Sequence, residues 1–225
     1  MSHKISAAVL RNLSSPFLLE SLRLEDPGDD EILVKIAGTG ICHTDIKVSG
    51  GYAGVPLPVV LGHEGAGFVA QVGKHVTSIV PGDHVLLTFD SCGKCPQCST
   101  QHPAYCDEGQ RLSFACQHSE KGACLEGSGE LVNGNFFGQS SFASHAVTNE
   151  RNTVKVDKSL PLEILGPLGC GFQTGAGVVL NVLQPSAGQS FAIFGAGNVG
   201  LSAVMAAAIA GMDPLIVLDV NSHRL

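Results

Sequence analysis

Four cysteines, Cys92, Cys95, Cys98 and Cys106, fall in a C-x2-C-x2-C-x7-C pattern. Two-residue spacings let successive thiolates converge on one centre, and Zn²⁺ takes four of them in a tetrahedron at about 2.3 Å. Four protein ligands leave no open position, so such a site is structural rather than catalytic. A redox dithiol would need only two cysteines at a helix start. C-x2-C-x2-C runs also hold iron–sulfur clusters, so on spacing alone zinc is favoured and the cluster stays open. Cys116 and Cys124 flank His118 without ligand-like spacing and read as spare thiols.

A second group is dispersed. Cys42-His43-Thr44-Asp45 follows a Gly38-Thr39-Gly40 turn, His63-Glu64 sits between Gly62 and Gly65, and Cys170 lies between two glycines. Cys42, His63 and Cys170 together would supply three ligands and leave the fourth place of a zinc ion for water or substrate, the pattern of a catalytic site. Taken singly, each has a plainer reading: His63 as a packed histidine, Cys170 as a small buried hydrophobe.

The third signal is Gly195-Ala196-Gly197-Asn198-Val199-Gly200, a G-x-G-x-x-G turn after an apolar run and before an Ala-rich stretch. Glycines at Gly195, Gly197 and Gly200 allow a pyrophosphate to approach the backbone, and the helix that follows stabilises its charge. Asp219 ends the next apolar run about 24 residues beyond Gly195, near the ~20 expected for a carboxylate that grips the adenosine ribose. A carboxylate there repels a 2′-phosphate, which favours NAD over NADP.

These groups need a scaffold. Ile5–Val9, Glu31–Ile36, Gly67–Val72, His84–Phe89, Phe142–Thr148 and Thr153–Val156 read as strands, rich in β-branched residues and bounded by turn formers. Residues 91–137 hold the thiol cluster and no periodicity, so a cross-link is expected to substitute for a core there. Phe172–Leu183 suits a helix. Ser190–Phe194, Asn198–Gly211 and Leu215–Val220 then read as buried strand, helix and apolar strand, a βαβ unit that begins a parallel sheet. Two strands cannot bury both faces of such a sheet, so a truncated second domain is expected, aggregation-prone and inactive alone.

Composition narrows the class. Charged residues make up 15% of the 225, against roughly 25% in an average domain, so much of the chain is destined for burial. The net charge of −7 and the lack of any basic run argue against nucleic acid or an anionic membrane as partner. The longest apolar stretch, Val199 to Met212, is too short for a bilayer, which needs about 20 residues. No signal peptide is evident, so the cysteines point to a reducing cytoplasm and to metal binding rather than disulfides.

Together these residues resemble the zinc-dependent medium-chain alcohol dehydrogenases. The likeness rests on Gly62-His63-Glu64-x2-Gly67-x5-Gly73-x2-Val76, the four-cysteine lobe, residues 40–45, Gly169-Cys170-Gly171-Phe172-x-Thr174-Gly175, and the glycine turn with Asp219. Residues 136–142 and 171–177 are most similar to the aryl (benzyl) alcohol dehydrogenases. The resemblance implies an α/β protein with a GroES-like distorted β-barrel over residues 1–171 and the start of a doubly wound Rossmann domain over 172–225. It implies two zinc ions and NAD, with reversible hydride transfer between a primary, benzyl-type alcohol and the nicotinamide. Cys42, His63 and Cys170 would bind the catalytic zinc, with Asp45 orienting His63 and Glu64 modulating ligand exchange from behind. Thr44 would hydrogen-bond the substrate hydroxyl and begin a proton relay, and Phe89 would line the substrate pocket. His43 would lie on the cofactor pyrophosphate, Arg224 near its adenosine ribose, and Thr174 and Val199 against the nicotinamide.

Relays that end on histidine carry it three residues after the hydroxyl residue; here that position is Lys47, a poor proton acceptor at neutral pH. The resemblance further implies a small-molecule alcohol or aldehyde as partner, and a homodimer or homotetramer for the full-length protein. A glutathione-dependent formaldehyde dehydrogenase would share every motif, and residues 1–225 alone would also suit a catalytically inactive zinc-binding module.

Asp219 generates the first prediction. Replacing Asp219 with Gly in the intact enzyme should narrow the preference for NAD over NADP, measured as the ratio of kcat/KM values, by about tenfold or more, the worth of a charge-assisted hydrogen bond. An unchanged ratio would remove the strand-end carboxylate from cofactor recognition.

Overall fold

The computed structural model describes residues 2–117, 125–127 and 129–225. It divides into two compact units, Met1–Gly169 and Cys170–Leu225. His118 and Cys124 lie outside the described residues. No helix among the described residues is long and apolar enough to cross a membrane.

The first unit runs β1 (Ser2–Leu10), β2 (Leu18–Glu25), β3 (Glu31–Thr39), α1 (His43–Ser49), β4 (Val59–Val60), β5 (Gly65–Val72), β6 (His84–Leu87), α2 (Pro96–Ser99), α3 (Gly109–Phe114), β7 (Leu125–Gly127), β8 (Glu130–Val132), β9 (His145–Asn149), β10 (Thr153–Val156) and α4 (Leu162–Leu165). Its strands form two five-stranded sheets, ordered β4-β1-β2-β7-β8 and β10-β6-β5-β3-β9. All their pairings are antiparallel.

Side-chain alternation sets the faces. On β1, Ile5, Ala7 and Val9 are buried and Lys4 and Ser6 point away, and on β2 Leu22 and Leu24 join them. The apolar run of β3 is continuous because both of its faces are covered. Leu33 packs with Ile5 and Leu22, while Ile32 and Val34 pack with Val69, Val85 and Leu87. The sheets are stitched by one segment. Ala8 N–H donates to Phe142 O and Ser144 N–H to Ser6 O on β1, and the chain then pairs Lys35–Glu31 of β3 as β9. This closure gives the unit its barrel character.

Several expectations change in detail. The expected strand Phe142–Thr148 begins at His145, its first residues being spent on the crossing between sheets. His84–Phe89 ends at Leu87. β2 was not anticipated, because Leu18–Glu25 has no β-branched residue and carries three charges, although its buried leucines alternate. Residues 91–137 are not without a core: β7 and β8 form a hairpin that extends the first sheet, and Phe136 is fully buried.

The second unit contains α5 (Gly171–Gly177), continued by a wider-wound turn over Val178–Leu183, then β11 (Phe191–Phe194), α6 (Asn198–Ile209) and β12 (Leu215–Leu218). β11 and β12 are parallel neighbours, as a βαβ unit requires. Ala203, Ala206 and Ala207 of α6 pack with Val179 and Met212. The strands are not the buried ones expected: Ile193 is buried, but Phe194 and Ile216 are exposed.

The register of β2 can be checked by stability. Leu22→Ala should lower stability by about 2–5 kcal/mol, the usual range for a truncated core leucine. Leu19→Ala, on the same strand but exposed, should stay within about 0.5 kcal/mol. Equal losses in urea titrations would contradict the assigned faces.

Candidate active site

Helix α1 begins at Cys42, whose extended backbone makes it the N-cap, and Asp45 occupies the third helical position. One carboxylate oxygen of Asp45 accepts from the Cys42 N–H at 2.9 Å, closing the first turn from within. The other accepts from the Gly62 N–H at 3.1 Å and meets His63 Nδ1 at 3.0 Å. Asp45 therefore ties the loop bearing Cys42 to the loop bearing His63, with both side chains of the pair essentially buried. Gly62 sits at φ +91, and a side chain there would run into Phe142, so only glycine delivers His63 at this angle.

Burial opposes the charge of His63, but its hydrogen bonds to Asp45 and the Cys42 thiol prevail and raise its pKa to about 9. The Glu64 carboxylate rests against Gly40, where any Cβ would collide with it. Ligand atoms of Cys42, His63 and Glu64 lie within 4.8 Å of one another. A thiol, an imidazole and a carboxylate turned on one point form a donor set suited to a zinc ion. Cys170, buried, opens the second unit, and its carbonyl accepts from the Thr174 hydroxyl at 2.8 Å. The residue before it, Gly169, gives its carbonyl to the Thr88 hydroxyl at 2.9 Å within the first unit.

Around His63 stand three aromatic rings. Phe137 stacks on the imidazole at 4.6 Å and 25°, Phe136 meets it edge-on at 5.6 Å, and Phe89 lies 6.4 Å away and 5.2 Å from Phe137. Phe89, anticipated as a pocket residue, is partly exposed beside the histidine. The Cys42 thiol donates to the Thr44 hydroxyl at 3.8 Å. His43 and Lys47 are exposed on α1.

Phe136, Phe137 and Gln139 were not singled out as site residues from the sequence. They occupy an irregular turn with no periodicity, and only the resemblance of residues 136–142 to the aryl alcohol dehydrogenases marked it. Gln139 is buried and bonds the His63 carbonyl and the Gly65 N–H, each at 3.0 Å.

In the cysteine lobe, ligand atoms of Cys92, Cys95, Cys98 and Cys106 all lie within 4.8 Å of one another. Cys92 and Cys98 sulfurs are 3.9 Å apart, and those of Cys95 and Cys106 4.0 Å. The edge of a tetrahedron with ~2.3 Å bonds is about 3.8 Å, so a single ion fits between them. A multi-iron cluster would spread the sulfurs over different metal atoms. Backbone N–H groups of Lys94 and Cys95 lower Cys92 to about 6. Burial and the neighbouring thiols raise Cys98 to about 11. Four thiols this close favour ionisation of one at the expense of another, a conflict that a central cation resolves. The lobe is moored by Arg151, whose Nε donates to Ser91 O at 2.9 Å.

In the second unit, Gly195 adopts φ +108 and its N–H donates to Leu218 O at 2.6 Å, which bends the chain into the glycine turn. Gly197 caps α6, and any side chain on Gly200 would strike the Gly195 carbonyl. Asp219 accepts from the Ala196 and Asn221 N–H groups, both at 2.7 Å, and these bonds hold it below the usual carboxylate range. Arg224 Nη1 lies 3.7 Å from it. Val199 is partly exposed in the first turn of α6.

Comparison with known proteins agrees with this geometry. The chain is 50% identical over 219 residues to a geraniol dehydrogenase of Castellaniella defragrans, covering 97% of this chain and 58% of that protein. The structure of an alcohol dehydrogenase zinc-binding domain protein from Burkholderia ambifaria superposes with a TM-score of 0.98 at 49% identity, covering 100% of this chain and 61% of that one. Benzyl alcohol dehydrogenase of Acinetobacter calcoaceticus gives 0.95 at 47%, over 99% and 60%. The chain thus spans about three-fifths of the length of these relatives. Residues 28–158, the stretch that carries the Asp45–His63 pair and the whole thiol lobe, match the alcohol dehydrogenase GroES-like domain, and the chain belongs to that family.

Proposed function

We propose that this chain carries the catalytic residues of a zinc- and NAD-dependent alcohol dehydrogenase acting on primary alcohols of benzyl type. The observation that carries the reading is the buried His63–Asp45 pair roofed by Phe137, a metal-ligand arrangement with an aromatic wall. Relatives named for geraniol and benzyl alcohol support a substrate with an unsaturated carbon next to the carbinol.

Cys42, His63 and Cys170 would hold the catalytic zinc, with Glu64 beside them, and the four lobe cysteines a structural one. When bound, zinc supplies Lewis acidity that lowers the pKa of a hydroxyl group toward neutrality. Asp45, by accepting from Nδ1, leaves Nε2 of His63 as the ligand nitrogen and fixes the ring. Thr44 would hydrogen-bond the substrate hydroxyl and begin a proton relay outward. The exposed amine of Lys47 leaves the end of that route to solvent. Phe137 and Phe89 exclude water beside His63 and offer flat faces to an aromatic or allylic group.

A nicotinamide held by the second unit would supply the hydride acceptor, since zinc has no redox chemistry of its own. The backbone at Gly195, Gly197 and Gly200 would hold the cofactor pyrophosphate, with His43, Thr174, Val199, Asp219 and Arg224 as further contacts. Each oxygen of Asp219 already accepts one backbone N–H and keeps a lone pair for a ribose hydroxyl.

Two predictions test this reading. In the intact enzyme, Cys42→Ala should remove one of two metal ions and abolish turnover with the fold retained. Cys95→Ala should instead lose the lobe ion and lower the melting temperature, because a structural site contributes folding energy directly. An active Cys42→Ala protein holding both metals would end the proposal. For the substrate, Phe137→Ala should reduce kcat/KM for benzyl alcohol about tenfold relative to ethanol, the worth of a lost aromatic contact. Faster turnover of S-hydroxymethylglutathione than of benzyl alcohol by the unaltered enzyme would assign a different substrate.

A further inference from the structure

Residues 61–64 join β4 to β5 without belonging to a strand, yet all four are buried. Their backbone groups must therefore find partners one by one. Leu61 O and Gly62 O accept from Phe142 and Ser141 N–H groups, Gly62 N–H donates to Asp45, and Glu64 O accepts from Gly40 N–H. Two groups flanking Glu64 are supplied by a side chain. Gln139 Nε2 donates to His63 O at 3.0 Å, and Gln139 Oε1 accepts from Gly65 N–H at 3.0 Å. The second Nε2 hydrogen reaches Thr88 O at 3.3 Å, the residue before Phe89. The amide orientation is unambiguous, since a flipped group would set its oxygen against two carbonyls.

We propose that Gln139 is a positioning residue for the metal site, its carboxamide replacing the peptide group of a neighbouring strand on both sides of Glu64. Asp45 holds the His63 ring, whereas Gln139 holds the peptide planes from which His63 and Glu64 project. The same amide links this segment to Thr88, just past β6 and next to Phe89, and to the turn that presents Phe137. Neither an apolar side chain nor a shorter amide can replace it. Met fills the volume without any hydrogen bond, and Asn is one methylene, about 1.5 Å, too short to span the three partners.

The inference rests on the metal-ligand reading of Cys42 and His63, so the test separates the two. The intact protein and its Gln139→Met and Gln139→Asn variants are loaded with cobalt(II), and their visible spectra and rates of metal release to a chelator are compared. Both variants should keep the lobe ion, shift the absorption of the second ion, and release that ion about tenfold faster, the low end of losses seen when outer partners of metal ligands are removed. Unchanged spectra and release rates in either folded variant would overturn the proposal. Loss of the lobe ion together with the cooperative melt in both variants would overturn it too, by making Gln139 a residue of the fold at large. Unaltered protein that takes up only the lobe ion would instead overturn the metal-site reading beneath it.

Discussion

The chemistry of the first unit depends on one buried carboxylate. Asp45 makes three hydrogen bonds with two oxygens, to the Cys42 N–H, the Gly62 N–H and the His63 ring. The first closes the opening turn of α1, and the other two join that helix to a loop that no sheet or helix aligns with it. Removing the carboxylate would strand the buried Gly62 N–H, the half-buried Cys42 N–H and an imidazole, at roughly 1–3 kcal/mol for a fully buried unsatisfied group. The same carboxylate fixes the orientation of the imidazole ring, so the bond that builds the fold here also aims the histidine. Stability and ligand geometry are therefore inseparable at this residue.

Other parts of the unit serve that bond by making its surroundings rigid. Strand β3 of the second sheet is a wall covered on both faces, its Leu33 packing against the first sheet, and the Phe142–Ser144 crossing binds one sheet to the other. Beside this frame, the turn 135–140 holds Asn135, Phe137 and Ser140 at φ near +60, a region that costs energy for a residue as bulky as phenylalanine. The turn is over-determined by its bonds. The Ser140 hydroxyl accepts from Phe136 N–H and donates to Val60 O, and Gln139 reaches the His63–Glu64 segment. That strain places an aromatic face on the imidazole, where a relaxed turn would point it elsewhere.

Much of this could be read in advance because it has a period or a spacing. The thiol lobe, the glycine turn before α6 and the β-branched strands announce themselves locally. β2 was hidden because leucines and charges mask an alternation that only the partner strand reveals, and the β7–β8 hairpin because three-residue strands carry almost no pattern. Cys42 and His63 were legible as residue types, but their meeting depends on α1 and the Gly62 turn, some twenty residues apart. Phe137 and Gln139 act through a left-handed backbone and a long-range amide, and neither property has a signature in the order of residues. Sequence reports what repeats; the site is made where repetition stops.

The three loops proposed to carry chemistry solve the same problem in the same way. Each leaves a strand or enters a helix where backbone N–H groups diverge and no neighbouring strand supplies acceptors. In each an aspartate fills the gap: Asp45 at α1, Asp90 at the root of the thiol lobe, and Asp219 at the glycine turn. Asp90 accepts from Ser91 N–H and from the Asn149 amide, and burial raises its pKa against those bonds. Asp219 spans Ala196 and Asn221 N–H groups, which lower its own. An ionised carboxylate is the only short side chain with two oxygens that both accept, so asparagine at any of the three would turn an N–H donor of its own toward another donor. Loops free of a hydrophobic core are thus fixed by charge-assisted bonds, which are stronger and more directional than packing. That directionality lets thiols, an imidazole and a tight glycine turn be held in place on segments that make almost no regular structure of their own.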